Sequence, residues 1–278
     1  MKQNITEVFE LDSQYSTTRC VTRIPPVIVN KPEDKITSVL FLPENLERKA
    51  EGGLRTQGLF KCNQENKPLI SVITVIFNGA QFLEQTIKSV IEQTYDNVEY
   101  IIIDAGSTDG TLDIVRKYEG QIDYWVSEGD AGISDAFNKG LRCVSGFWVN
   151  ILNSGDSYVN KGVLLEIGKR FENCNIITGF AQYLNTQKLI PNRALNNGDF
   201  LPIKSMISHQ ASFVPMECYK EFGEYSNEYK VRMDYDLWNR FLTKKSFKLF
   251  PKNIKHVTSN IIAVPGIIAK YALPKMIY

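Results

Sequence analysis

The run 69-LISVITVIF-77, the amphipathic stretch over roughly 80–93 and the run 98-VEYIIID-104 decide the fold. Two mainly apolar runs of strand length, rich in β-branched residues, flank a segment whose apolar residues recur at helical spacing. Strands of this kind are buried on both faces. The rhythm continues downstream. TLDIVRKY, from Thr111, begins a second helix, and IDYWVSE (122–128) and FWVNILN (147–153) read as strands on either side of a helix over about 132–143. Strands alternating with helices predict βαβ units in an α/β, Rossmann-like, mainly parallel sheet flanked by helices.

Ligands of such sheets sit beyond the carboxyl ends of the strands. The loops there are Asn78-Gly79, Asp104-Ala105-Gly106-Ser107, Glu128-Gly129-Asp130 and Asn153-Ser154-Gly155-Asp156. Taken singly, each has a bland reading; GSTDGT (106–111) is a turn with a helix N-cap. Taken together, three bring carboxylates to one edge, where repulsion is costly unless a cation or donor groups offset it. A divalent metal with a diphosphate ligand supplies that offset.

Upstream, residues 1–67 read as an N-terminal extension with little regular structure, punctuated by Pro25, Pro26, Pro32 and Pro43. Within it, EGGLRTQGLFK (51–61) reads as a Gly-hinged tether over the domain surface, or as a basic segment reaching a phosphate. The start, MKQNITEVFELDSQ, lacks the apolar core of a secretory signal. Downstream of a catalytic domain at 68–260, the tail IIAVPGIIAKYALPKMIY (261–278) is apolar, carries Lys270 and Lys275 and is broken by Pro265 and Pro274. Too short to span a bilayer, it either packs on the domain or lies at a membrane interface.

Composition narrows the function. Among 278 residues, 32 Lys and Arg against 31 Asp and Glu give a net charge of +1, so no global field attracts nucleic acid. Cys20, Cys62, Cys143, Cys174 and Cys218 form no CxxC pair and read as reduced thiols of a cytoplasmic protein. With only His209 and His256, a multi-histidine metal centre is excluded.

The segments SVITVIFNGAQFLEQTIKSVIEQTYDNVEYIIIDAGSTDGT (71–111), SEGDAGISDAFNKGL (127–141) and NILNSGDSYV (150–159) resemble, in order and spacing, successive motifs of the family 2 glycosyltransferases. The likeness is strongest to bacterial members that build O-antigen, capsule or colanic-acid-like polysaccharide, and it covers about Pro68–Leu242. It implies a GT-A fold and an inverting hexosyltransferase. The donor would be a nucleotide sugar, a UDP-sugar favoured, with Mn²⁺ or Mg²⁺ as cofactor. A lipid-linked saccharide acceptor would place the chain peripherally on the cytoplasmic face of the inner membrane.

Carried over residue by residue, the resemblance puts Phe77 and Asn78 in the nucleotide pocket, Asp104 on the base or ribose, Gly132, Asn138 and Asn153 around the donor, and Asp156 on the metal. Ala136 and Gly140 read as helix packing. Farther on, NIITGFAQYLN (175–185) and HQASFVP (209–215) read as acceptor-side strands. His209 and Gln210 match a family pair near the diphosphate or acceptor, with a purely structural histidine as the equal alternative. VRMDYDLWNRF (231–241) reads as a helix with apolar Val231, Leu237, Trp238 and Phe241, in which Asp234 is the general base. Asp236 points elsewhere on that helix, and Arg240 pairs with a carboxylate or the diphosphate. The chain departs from the family pattern at Ala105, Gly155 and Met233, where acids are usual. Two alternatives follow: a nucleotidyltransferase, although Asn78-Gly79-Ala80-Gln81 lacks the basic residue such enzymes use, and a degenerate non-catalytic binding protein, which retention of Asp104, Asp156 and Asp234 opposes.

Overall fold

The computed structural model describes residues 7–170, 176–182, 189–190, 207–229, 233–243 and 262–265. Its strands are β1 (Val21–Thr22), β2 (Ala50–Gly52), β3 (Phe60–Lys61), β4 (Ile70–Ile76), β5 (Val98–Asp104), β6 (Tyr124–Ser127), β7 (Trp148–Ile151), β8 (Asp156–Tyr158), β9 (Ile177–Thr178), β10 (Phe180–Gln182), β11 (Leu189–Ile190), β12 (Ser212–Pro215) and β13 (Ile262–Pro265). Its helices are α1 (Ala80–Ile91), α2 (Thr111–Lys117), α3 (Ile133–Arg142), α4 (Val163–Gly168), α5 (Met216–Phe222) and α6 (Met233–Thr243).

β4 is buried along its whole length because it lies at the centre of a seven-stranded sheet of order β2-β6-β5-β4-β7-β12-β9. β6, β5, β4 and β7 are parallel, with antiparallel strands at both edges. Alternation along β4 divides its side chains between two cores: Ile73 and Val75 join Phe137 and Leu141 of α3, while Ile70, Val72 and Ile76 join Leu83, Ile87 and Val90 of α1. Both faces being covered, a mainly apolar run is what the position demands, and its buried Ser71 and Thr74 hydroxyls are paired with Glu99 and Tyr100. Gly140 is required for the close packing of α3, since a Cβ there would come within 2.4 Å of Ile73 Cγ2.

The chain lays down β4, β5 and β6 outward in one direction and then returns to place β7 on the other flank of β4. Connections leaving a strand pair on opposite faces open a crevice at the carboxyl ends. The site-bearing loops rim that crevice.

The N-terminal extension is integral to the sheet. β2 is its edge strand, with Ala50 opposite Ser127. β1 and β3 pair beside it, and Ser16 Oγ donates to the Val90 carbonyl at the end of α1 (2.9 Å). The 51–61 segment, expected as a tether or a phosphate contact, instead sends Arg55 inward. Arg55, 3% exposed, bonds Glu99, 1% exposed, through Nη2 at 2.5 Å. Ser71 Oγ (2.5 Å) and the Ser145 amide (3.0 Å) also donate to Glu99. A buried guanidinium persists where a carboxylate and further hydrogen bonds offset its desolvation.

Of the apolar tail, residues 262–265 form β13, between β10 and β8 in a second sheet, with Pro265 opposite Asp156. The rest of the tail, with Lys270 and Lys275, lies outside the described residues, as do Val231, Cys174, His256 and parts of the 175–185 segment. Only Ser212–Pro215 of the 209–215 segment is a strand; His209–Ala211 is a tight helical turn. The four described cysteines are free.

Candidate active site

Three loops at the carboxyl edge are stitched together by the residues expected to bind the donor. Asn78 takes a left-handed backbone (φ 49°), one that Asn tolerates. Its amide donates to Ser107 Oγ (2.7 Å) and its Oδ1 accepts from the Thr108 amide (2.8 Å), so the side chain ties the β4 and β5 loops. Asp104 is 1% exposed; its carboxylate accepts from the Ser107 amide (3.0 Å), Ser107 Oγ and Ser127 Oγ (2.5 Å). These three donors hold Asp104 beneath the loops and tie the β5 and β6 loops together, while its two oxygens keep acceptor capacity for a further donor. Phe77, beside Asn78, is 64% exposed and offers an open ring face.

The β6 loop is not a free acidic site. Glu128 is paired with Arg48 (2.9 Å) and Lys139 (2.8 Å), which, against the opposing effect of burial, hold its carboxyl below the usual range. Asp130 is pushed upward, chiefly by burial, and Oδ1 accepts from the Gly132 amide (2.9 Å). That amide at the start of α3 is therefore engaged within the protein, a correction to its expected role as a donor to the ligand. Asn138 is corrected more strongly. It is 1% exposed, its Nδ2 donates to the Tyr225 carbonyl (2.8 Å), and its Oδ1 accepts from the Tyr225 amide (2.9 Å). Like a missing strand partner, it pins residue 225 to α3.

The loop after β7 meets two distant segments. Asn150 of β7 donates through Nδ2 to the carbonyls of Gln210 (3.1 Å) and Ser212 (2.8 Å), while its Oδ1 accepts from Tyr158 Oη (2.6 Å). This fixes the 209–212 turn and carries His209 to the edge, with Phe137 against the imidazole at 5.3 Å between ring centroids. His209 Nδ1 is 2.8 Å from Asp234 Oδ2 and Nε2 is 3.1 Å from Asn153 Nδ2. In the neutral ring Nδ1–H donates to Asp234 and Nε2 accepts from Asn153; in the imidazolium both nitrogens donate, and Asn153 turns its Oδ1 toward the ring. Burial lowers the imidazole pKa, but Asp234 and Asp156 outweigh it and the net direction is upward. Gln210 Oε1 accepts from Ser208 Oγ, so its amide serves the turn.

Asp234 opens α6, which is held by buried Leu237, Trp238 and Phe241. Its side chain is 27% exposed and Oδ1 has no hydrogen-bond partner. Met233, where an acid was expected, is 8% exposed and meets Ser134 Oγ through Sδ (2.8 Å), a core contact an acid could not make without burying charge. Arg240 does not face the crevice chemistry. Its nitrogens bond the Phe222 carbonyl (2.6 Å), the Glu224 carbonyl (2.8 Å) and Asp236 (3.0 Å), stapling α6 to the end of α5.

Asp156 is 0% exposed at the start of β8, where Thr86 Oγ1 donates to its carbonyl (2.8 Å) and accepts from the Gly155 amide (2.9 Å). Gly155 has φ 95°, a left-handed backbone that disfavours the usual acid. Among the described residues no three His, Cys, Asp or Glu gather as a metal cage. Yet Asn153 Oδ1 is buried without a hydrogen-bond partner in the same loop as the Asp156 carboxylate. Two hard oxygen donors suit a divalent cation that takes its remaining ligands from a diphosphate and water.

Sequence reading missed Arg48 and Lys49 of the extension: Arg48 neutralises Glu128, and Lys49 Nζ donates to the Gly106 carbonyl (2.6 Å). The adjacent basic pair was the available signal.

A mainly parallel sheet whose crevice is rimmed by these polar loops defines a GT-A type fold. The chain belongs to glycosyl transferase family 2, whose model matches residues 71–209. It is 29% identical over 192 residues to an uncharacterised glycosyltransferase of Rickettsia typhi, covering 64% of this chain and 60% of that one. It is 41% identical over 96 residues to the putative teichuronic acid biosynthesis glycosyltransferase TuaG of Bacillus subtilis, covering 33% of this chain and 38% of that one. It thus spans about 60% of the length of the Rickettsia typhi relative. In fold it is similar to the mannosyltransferase PcManGT of Pyrobaculum calidifontis, solved with GDP-Man and Mn²⁺ (TM-score 0.58, 17% identity, 76% of this chain and 59% of that one). It is also similar to S. aureus TarS 1-349 in complex with UDP (TM-score 0.56, 17% identity, 70% and 60%).

Proposed function

We propose that the chain transfers a sugar, with inversion, from a nucleotide-sugar donor, a UDP-sugar favoured, to a hydroxyl of a growing, lipid-linked surface polysaccharide. The observation that carries this reading is the Asp234 carboxylate: one oxygen is oriented by His209 and the other has no hydrogen-bond partner, at the same edge as the Asn153–Asp156 loop. In a single in-line displacement the acceptor oxygen bonds to the anomeric carbon as the bond to the diphosphate breaks, and the hydroxyl proton passes to the Asp234 carboxylate. His209, held between Asp234 and Asn153, keeps that carboxylate in place, its neutral ring accepting from Asn153 Nδ2 so that Asn153 Oδ1 stays free of it. Asp156 and Asn153 Oδ1 would hold Mn²⁺ or Mg²⁺, which when bound supplies Lewis-acid stabilisation of the leaving group. The exposed Phe77 ring suits stacking with a nucleobase.

The name of the Bacillus subtilis relative, which concerns teichuronic acid, supports a surface-polymer acceptor. Peripheral contact with the cytoplasmic face of the inner membrane belongs to the same proposal; among the described residues no helix is long and apolar enough to cross a membrane. The test is Asp234→Asn, which keeps the shape but cannot take the proton. Turnover should fall by about 10² to 10⁴, with donor affinity little changed. Near-normal turnover would remove Asp234 as the base.

A further inference from the structure

The N-terminal extension places one exposed cation on the nucleotide side of the crevice. The Lys49 amide donates to the Ser127 carbonyl (2.8 Å), and Ala50 pairs with Ser127, so backbone contacts fix this residue at the carboxyl end of β6. Its Nζ crosses to β5, donating to the Gly106 carbonyl (2.6 Å) and lying 3.4 Å from the Ser107 carbonyl. Both partners are neutral, and among the described residues no carboxylate pairs with this ammonium, whereas neighbouring Arg48 is matched by Glu51 and Glu128. An ammonium has three donors, so at least one is left for a ligand. Ser107 is also the residue whose hydroxyl accepts from the Asn78 amide, next to exposed Phe77. The ring and the cation therefore flank one loop. Asp104, 1% exposed beneath this loop, is bonded by Ser107 and Ser127.

We propose that Lys49 is a specificity-determining residue that donates a hydrogen bond to an oxo group of the donor nucleobase while the base lies on Phe77. Uracil, thymine and guanine carry such a group and adenine does not, so Lys49 selects oxo-bearing bases. This rests on the nucleotide-sugar reading above. It also gives the extension, which lies outside the region matched by the family model, a direct part in donor choice.

The experiment is calorimetric titration of the full chain with UDP, GDP and ADP in the presence of Mn²⁺, for the wild type, Lys49→Met and Lys49→Arg. A charged hydrogen bond is worth on the order of 10-fold or more in affinity. The wild type should prefer UDP or GDP over ADP by about that factor. Lys49→Met should lose that preference with ADP affinity unchanged, and Lys49→Arg should retain it. An unaltered melting temperature will confirm that this exposed substitution leaves the fold intact. Equal weakening toward all three nucleotides would move Lys49 to a ribose or loop-supporting role and overturn the proposal, as would an unchanged preference in Lys49→Met. A wild-type chain that binds none of the three would overturn the donor reading, and the assignment of Lys49 with it.

Discussion

At the scale of single residues, spacing and chemistry were legible where a motif carries both, and illegible where a side chain serves a distant backbone. Asp234 and His209 were singled out by the family resemblance, and the fold brings their side chains to 2.8 Å of each other. Asn138 looked suited to a ligand, but its partners are main-chain groups of residue 225, which no local pattern announces, whereas Arg240 pairs with the Asp236 carboxylate as well as with the carbonyls of residues 222 and 224. The departure at Gly155 had a backbone cause, φ 95°, invisible in the letters. Asp156 gives the next prediction. Asp156→Asn should weaken Mn²⁺-dependent donor binding at least tenfold, by loss of its carboxylate, and leave binding without metal nearly unchanged. Titrating donor with and without Mn²⁺ checks this; equal Mn²⁺ dependence in the variant would remove Asp156 from the metal loop.

At the scale of elements, the central strands were readable because burial on both faces writes a mainly apolar run, as in Ile70–Ile76. The extension was not, because β1, β2 and β3 are two or three residues long, too short for any periodicity. What anchors it is a polar pair, Arg55 with Glu99, packed under the sheet. Removing one partner of such a pair leaves a buried charge uncompensated, a cost of about 3–5 kcal/mol. Glu99→Gln should therefore destabilise the chain by roughly that amount, even though the amide can still bond Ser71 and Ser145. Urea unfolding measures it, and a loss below about 1 kcal/mol, typical of exposed pairs, would show that the extension is held by other contacts.

For the whole molecule, the same region couples stability to pH. Asp123 lies beneath the sheet with Lys61, Arg55 and Glu99 around it; Oδ2 accepts from the Tyr100 amide (2.7 Å) and Oδ1 has no hydrogen-bond partner. Burial above all raises its pKa to about 7, with Glu99 adding to the rise and Lys61 opposing it. Between about pH 4 and pH 7 the folded chain keeps a proton that the unfolded chain has released. This group's contribution thus makes stability fall as pH rises through that window, by at most ~1.4 kcal/mol per pH unit, and level off above it. Unfolding free energies at several pH values for wild type and Asp123→Asn should differ by this slope; parallel curves would show that Asp123 is ionised throughout.

The order in which strands meet has its own consequence. Tyr158 of β8 pairs with Ala263 of β13, and Asp156 with Pro265, so β8 finds its neighbour only after most of the chain is in place. Ala50 likewise waits for Ser127. Long-range pairings of this kind raise contact order and slow folding. On a ribosome the parallel core can assemble while the partner strand of β8 is still unmade. The nascent chain passes through a stage with open strand edges, in which chaperone capture competes with closure.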